Sequence, residues 1–130
     1  MKPASIDIKD ILVSGSDFEF GTDLFISVMP QNPHNCISIF DTSNATIQNT
    51  LDNAKYHYES VMIWVRNDNY ENAFNIANQI VTILDGKANF NINGTRYLYC
   101  SLRSGINAIG EFADINVLTM NFSLQRVKEI

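Results

Sequence analysis

The chain is poor in the residues that would announce chemistry or a charged partner. It has only two cysteines, Cys36 and Cys100, far apart and each inside an alternating apolar run. That placement excludes a disulfide framework and favours inert buried thiols over a nucleophile, because thiolate activation needs an electropositive setting. Glycine is scarce, at six residues, and neither a phosphate-binding P-loop nor a dinucleotide fingerprint occurs. Nine Lys and Arg against fourteen Asp and Glu leave a net charge of −5, and the basic residues are scattered. Tight phosphate binding comes from clustered cations that displace counterions, so a nucleic-acid-binding role is disfavoured. No run approaches the ~20 apolar residues of a membrane span, and MKPASIDIKDILV has no signal-like apolar core before Asp7 and Asp10 break it. The expectation is a protein made in a reducing cytoplasm, without a membrane partner.

Metal and acid–base chemistry fare no better. His34 and Cys36 flank an Asn beside Pro33, and His57 stands alone in KYHYE, with no CxxC or HxxxH spacing for a zinc site. The acids Asp17, Glu19 and Asp23, and Glu111 with Asp114, cluster loosely without any spacing that forces a cleft. Trp64, Tyr97 and Tyr99 lack the electropositive groove of a base-stacking platform and read as packing residues. No catalytic residue, metal or cofactor is expected.

What is present is a globular composition, 45% hydrophobic and 18% charged, at a length that suits one domain over 1–130. Ser5 to Val13 puts Ile8, Ile11 and Leu12 on one face of a short N-terminal helix, with Ser5 as cap. Two extended runs, 23-DLFISVM-29 and 36-CISIFDT-42, flank Pro30 and Pro33 and read as an antiparallel pair. The polar, Asn-rich stretch from Ser43 to Glu59 reads as a projecting loop. Then comes a strand, 60-SVMIWVR-66, and a helix over about 69–85. Asp68 and Glu71 have the spacing of a capping box, and Tyr70, Ala73, Phe74, Ala77, Ile80, Val81 and Leu84 form the apolar face. Asn93-Gly94 marks a type I′ hairpin. The loop 103-RSGINAIGEFAD-114 leads to a last strand in which Leu118, Met120, Phe122 and Leu124 alternate with polar residues. The implied fold is α+β: one mostly antiparallel sheet of about five strands, covered by one long helix, plus the short N-terminal helix.

The order of these segments is more specific than any one of them. MPQNPHNCISIFDT, a polar loop, SVMIWVRNDNYENAFNIANQIVTILDG and IGEFADINVLTMNFSLQRV together resemble the minor capsid or tail terminator family of long-tailed bacteriophages and prophages. Asp41-Thr42, Arg66 and the Tyr70-Glu71-Asn72-Ala73 helix start carry most of the likeness, which spans roughly Thr22 to Val127. Ser43-Asn44-Ala45 departs from it where a glycine is expected soon after Asp-Thr.

The resemblance implies a structural virion protein, not an enzyme. Such a protein forms a hexameric ring on the head-proximal end of the tail tube, stops tube polymerisation and offers a surface for head joining. The implied partners are further copies of the chain, the major tail tube protein and a head-completion or connector protein, with genomic DNA passing through unbound. Ring closure needs two different patches per subunit. The 44–58 and 103–114 segments supply the candidates: Asn44, Ile47, Leu51, Tyr56 and Tyr58 from the first, Arg103, Ile106, Glu111 and Phe112 from the second. A head-tail connector shares this size, acidity and ring symmetry, and a small ligand-binding or enzymatic α+β domain using His34, His57 and the carboxylates is the rival of a different class.

Overall fold

The elements run α1 (Ala4–Gly15), β1 (Leu24–Ile26), β2 (Cys36–Asn49), β3 (Lys55–Asn67), α2 (Tyr70–Leu84), β4 (Lys87–Ile92), β5 (Thr95–Leu102), β6 (Asn107–Phe112) and β7 (Ile115–Lys128). The computed structural model describes residues 1–49, 55–112 and 115–128. All seven strands join one sheet in the order β1-β2-β3-β7-β5-β4, and β6 pairs with β7 beyond the stretch that β5 occupies. The α+β class agrees with expectation, but the sheet has seven strands rather than about five.

Register decides which side chains are buried. On β7, Leu118, Met120, Phe122 and Leu124 are fully buried and stand opposite Val65, Ile63, Val61 and Glu59 of β3. Ile37 and Ile39 of β2 lie in the same layer, facing Val65 and Ile63. Both helices cover this face. α1 contributes Ala4, Ile8, Ile11 and Leu12, and α2 contributes Ala73, Ala77, Ile80 and Leu84 at helical spacing. Each large aliphatic side chain buried there contributes about 1.5–3 kcal/mol by leaving water. Among the described residues, the opposite face of the sheet carries no helix.

Several local expectations change. The run 23–29 forms only a three-residue strand, and it pairs parallel with β2, Leu24 opposite Ile37. Ser27 adopts a left-handed φ of 60°, ends the strand and donates its N–H to the Ile39 carbonyl at 2.9 Å, so the chain loops back instead of making a hairpin. The presumed loop 43–59 belongs mostly to β2 and β3, which pair antiparallel out to Asn49↔Lys55 after a register shift between Thr42 and Thr46. Its polar composition hid two strands because alternation of apolar residues is weak there. The 103–114 segment contains β6, paired from Asn107↔Thr119 to Phe112↔Ile115.

The caps also differ. Asn69, not Asp68, caps α2: its side chain accepts from the Asn72 N–H at 3.0 Å, while the Asp68 N–H donates to Asn35 Oδ1 at 2.9 Å. α1 starts one residue ahead of Ser5, whose N–H and hydroxyl both donate to the Asp41 carboxylate, at 3.0 and 2.5 Å. That carboxylate supplies from a neighbouring strand the acceptor that a helix N-terminus lacks. Two residues assigned to the buried face of α2, Tyr70 and Phe74, are 50% and 38% exposed, although Ala73 between them is fully buried. The Asn93-Gly94 turn has φ of 51° and 74°, as a type I′ hairpin requires.

Candidate functional site

The helix-free face is where this fold offers a surface, and alternation fixes its residues. From β2 come Ser38, Phe40 and Thr42, from β3 Tyr58, Ser60, Met62, Trp64 and Arg66, and from β7 Val117, Thr119, Asn121, Ser123 and Gln125. None of the described side chains at strand positions on this face is a carboxylate, although the chain carries fourteen acids. Two features divide the face.

The first is a furrow. Thr42, Ser60, Ser123 and Ser101 are register partners across four strands, a row of small hydroxyls with Tyr58, Gln125 and Tyr99 along one side. Tyr58 accepts from the Gln125 amide at 2.9 Å, and Thr42 donates to the Ser60 carbonyl at 2.8 Å. Arg103 borders the furrow with Asn121 and Ser104.

The second is an apolar groove of about 470 Å³ at the Arg66 end of the sheet. Its floor is Trp64 and Val117, one wall is Met29, Gln31 and His34, and the other is Ile109 and Ile115. Arg66 builds the first wall. Its guanidinium donates to the His34 carbonyl at 2.7 Å, to the Pro33 carbonyl at 2.9 Å and to the Pro30 carbonyl. A planar fork reaches three loop carbonyls from two nitrogens held in fixed directions, a geometry that a lysine ammonium does not reproduce. The loop that carries the two prolines is therefore not a simple hairpin connection, since its Met29, Gln31 and His34 form one wall of the groove. Trp64 packs edge-on to Phe40 at 6.0 Å, and its indole N–H is buried without a hydrogen-bond partner among the described residues.

The expected contact residues scatter around this face. Tyr58 and Arg103 border the furrow, and Tyr56 lies on the helix-free face opposite Val127. Ile106 packs partly against the core. Leu51, and the side chains of Asn44, Ile47, Glu111 and Phe112, lie outside the described residues. His34 lines the groove, whereas His57 points to the other face, its Nδ1 3.7 Å from Glu59 Oε1. Cys36 and Cys100 are buried free thiols, and burial pushes Cys100 up to about 12. Among the described residues no three His, Cys, Asp or Glu side chains converge to hold a metal.

Sequence reasoning missed a buried polar cluster on the helix face. Asp7 of α1 accepts from the Tyr97 hydroxyl at 2.5 Å and from Asn93 Nδ2 at 2.8 Å. Arg126 lies 3.5 Å from the same carboxylate and 2.7 Å from Glu59 Oε2, and it also donates to the Lys2 carbonyl at 2.6 Å. The signal was present, since Arg126 continues the buried alternation of β7 and Asp7 sits one residue before Ile8.

The model of the family described as bacteriophage tail terminator protein matches residues 10–128. Among solved structures, a chain of "Virion of native gene transfer agent (GTA) particle" is similar with a TM-score of 0.59, covering 82% of this chain and 80% of that one. Identity is 15%, so that likeness speaks to the fold. No curated protein sequence matches the chain. With 119 positions inside the family model, from 10 to 128, the chain belongs to the bacteriophage tail terminator family.

Proposed function

We propose that this protein closes the head-proximal end of the phage tail tube as a ring of its own copies, stops tube polymerisation and presents the surface to which the head is joined. Family membership places it in the virion tail. The single observation that carries the finer reading is the long helix-free sheet face, which leaves one side of the fold available to neighbours and carries no described carboxylate in its strands. The other partners in this reading are the tail tube protein and a head-completion protein. The net charge of −5 supports passage of genomic DNA without binding. A non-enzymatic role is supported by the structural character of the family.

Two segments carry the contacts in this reading. One is the 44–58 segment, with Asn44, Ile47, Leu51, Tyr56 and Tyr58. The other runs through β6, with Arg103, Ile106, Glu111 and Phe112.

Deleting the gene in its phage and imaging the particles tests the function: tails of uncontrolled length and unjoined heads are expected. Tails of normal length that merely fail to join heads would instead indicate a connector. Alanine changes across both segments test the contacts, and rings that still assemble would exclude them.

A further inference from the structure

Two surfaces of this chain are left unpartnered, and they complement each other. The first is the Tyr70–Phe74 pair at the start of α2, whose rings lie 6.2 Å apart and are 50% and 38% exposed. Asp68 and Glu71 flank it, both exposed. The second is the groove floored by Trp64. Its charged member is the Arg66 cation, bonded to three neutral carbonyls and to no described carboxylate.

The two surfaces lie on opposite sides of the sheet. A patch that meets a different patch on the next molecule makes a heterologous contact, which propagates around a ring.

We propose that the Tyr70–Phe74 patch of one copy docks in the Trp64 groove of the next. Aromatic rings fill an apolar groove whose volume lies within the ~300–1,000 Å³ of ordinary binding clefts. Asp68 and Glu71 bring negative charge to the Arg66 side. This contact deepens the ring reading and rests on it.

The test uses the full chain in assembled tails. With Phe74→Cys and Ile109→Cys in one chain, a short bis-maleimide is expected to yield a ladder of covalent multimers, while each single variant yields none. Multimers from Phe74→Cys alone would reveal a two-fold contact and overturn the proposal. Rings that sit on tails without a ladder would overturn this contact and leave the ring reading standing. Tails that carry no ring would overturn both.

A second measurement avoids introduced thiols. Phe74→Glu and Ile109→Glu alter exposed positions, and each is expected to weaken self-association about tenfold or more. Mixed together, the two variants retain one intact contact and form a dimer. Trp64 is the chain's only tryptophan, so its emission should shift to shorter wavelength in that dimer. A mixture that remains monomeric at concentrations where the unaltered chain associates would count against the contact.

Discussion

Tyr97 donates its hydroxyl hydrogen to the Asp7 carboxylate across 2.5 Å, tying strand β5 to helix α1 at a point where neither residue has any exposed surface. The same carboxylate lies 3.5 Å from Arg126, so one acidic group settles both a phenol and a cation. Removing one member of such a cluster leaves the others desolvated and incompletely paired. Asp7→Ala should therefore cost about 3–5 kcal/mol, and Tyr97→Phe about 1–2 kcal/mol. Urea unfolding of the two variants measures both. Equal losses would mean that the Asp7 carboxylate contributes nothing beyond its bond to Tyr97.

Buried acids give the protein a weakness at high pH. Burial, with the Asp85 charge adding to it, pushes the Cys100 thiol from 9.0 up to about 12, and burial also raises Tyr97. Between the unfolded and folded values the folded chain keeps a proton that the unfolded chain has released, so stability falls as pH rises through that window. Each pH unit between about 9 and about 12 removes about 1.4 kcal/mol through Cys100. Denaturation midpoints at pH 8 and 10.5 should show this loss, and Cys100→Ala should lessen it. An unchanged slope in that variant would place the alkaline sensitivity elsewhere.

The structure separates two adjacent candidates for the cap of α2. Asn69 accepts from the Asn72 N–H, whereas Asp68 meets Asn35 only through its backbone N–H. Asn69→Ala should cost about 1 kcal/mol and Asp68→Ala less than about 0.5 kcal/mol. Thermal melts of the two variants distinguish them, and the reverse order would restore the capping box that the sequence suggested.

What the sequence made legible followed from strong periodicity. The long helix and the alternation of β7 were readable because one face of each is apolar over several turns or pairs, and Asn93-Gly94 because few turns admit left-handed residues. The arm of β2 and β3 was not, since strands with little apolar alternation resemble a loop until their register is known. Tyr70 and Phe74 had the right spacing for the core, yet spacing cannot say which side chains at the edge of an apolar stripe reach the sheet, as the smaller Ala73 and Ala77 do. The groove was hidden for a related reason. Met29, Trp64, Ile109 and Val117 come from four separate segments, and only the parallel return of the chain after β1 brings the first of them beside the others.

Arg66 is the residue on which that groove depends. Its fork joins the last residues of β3 to the carbonyls of Pro30, Pro33 and His34, and the loop so held places Met29, Gln31 and His34 beside Trp64. A lysine keeps the charge but offers a point of donors rather than a plane. Arg66→Lys should then leave at least one carbonyl without its partner and lower stability by about 1–3 kcal/mol. The wall formed by the loop loosens and water reaches the indole, so Trp64 emission should move to longer wavelength. Asn69→Ala, which affects α2 without touching the loop, serves as the control and should leave emission unchanged. If Arg66→Lys kept both the stability and the emission of the unaltered chain, the two prolines alone would hold the loop, and the arginine would be free for a partner.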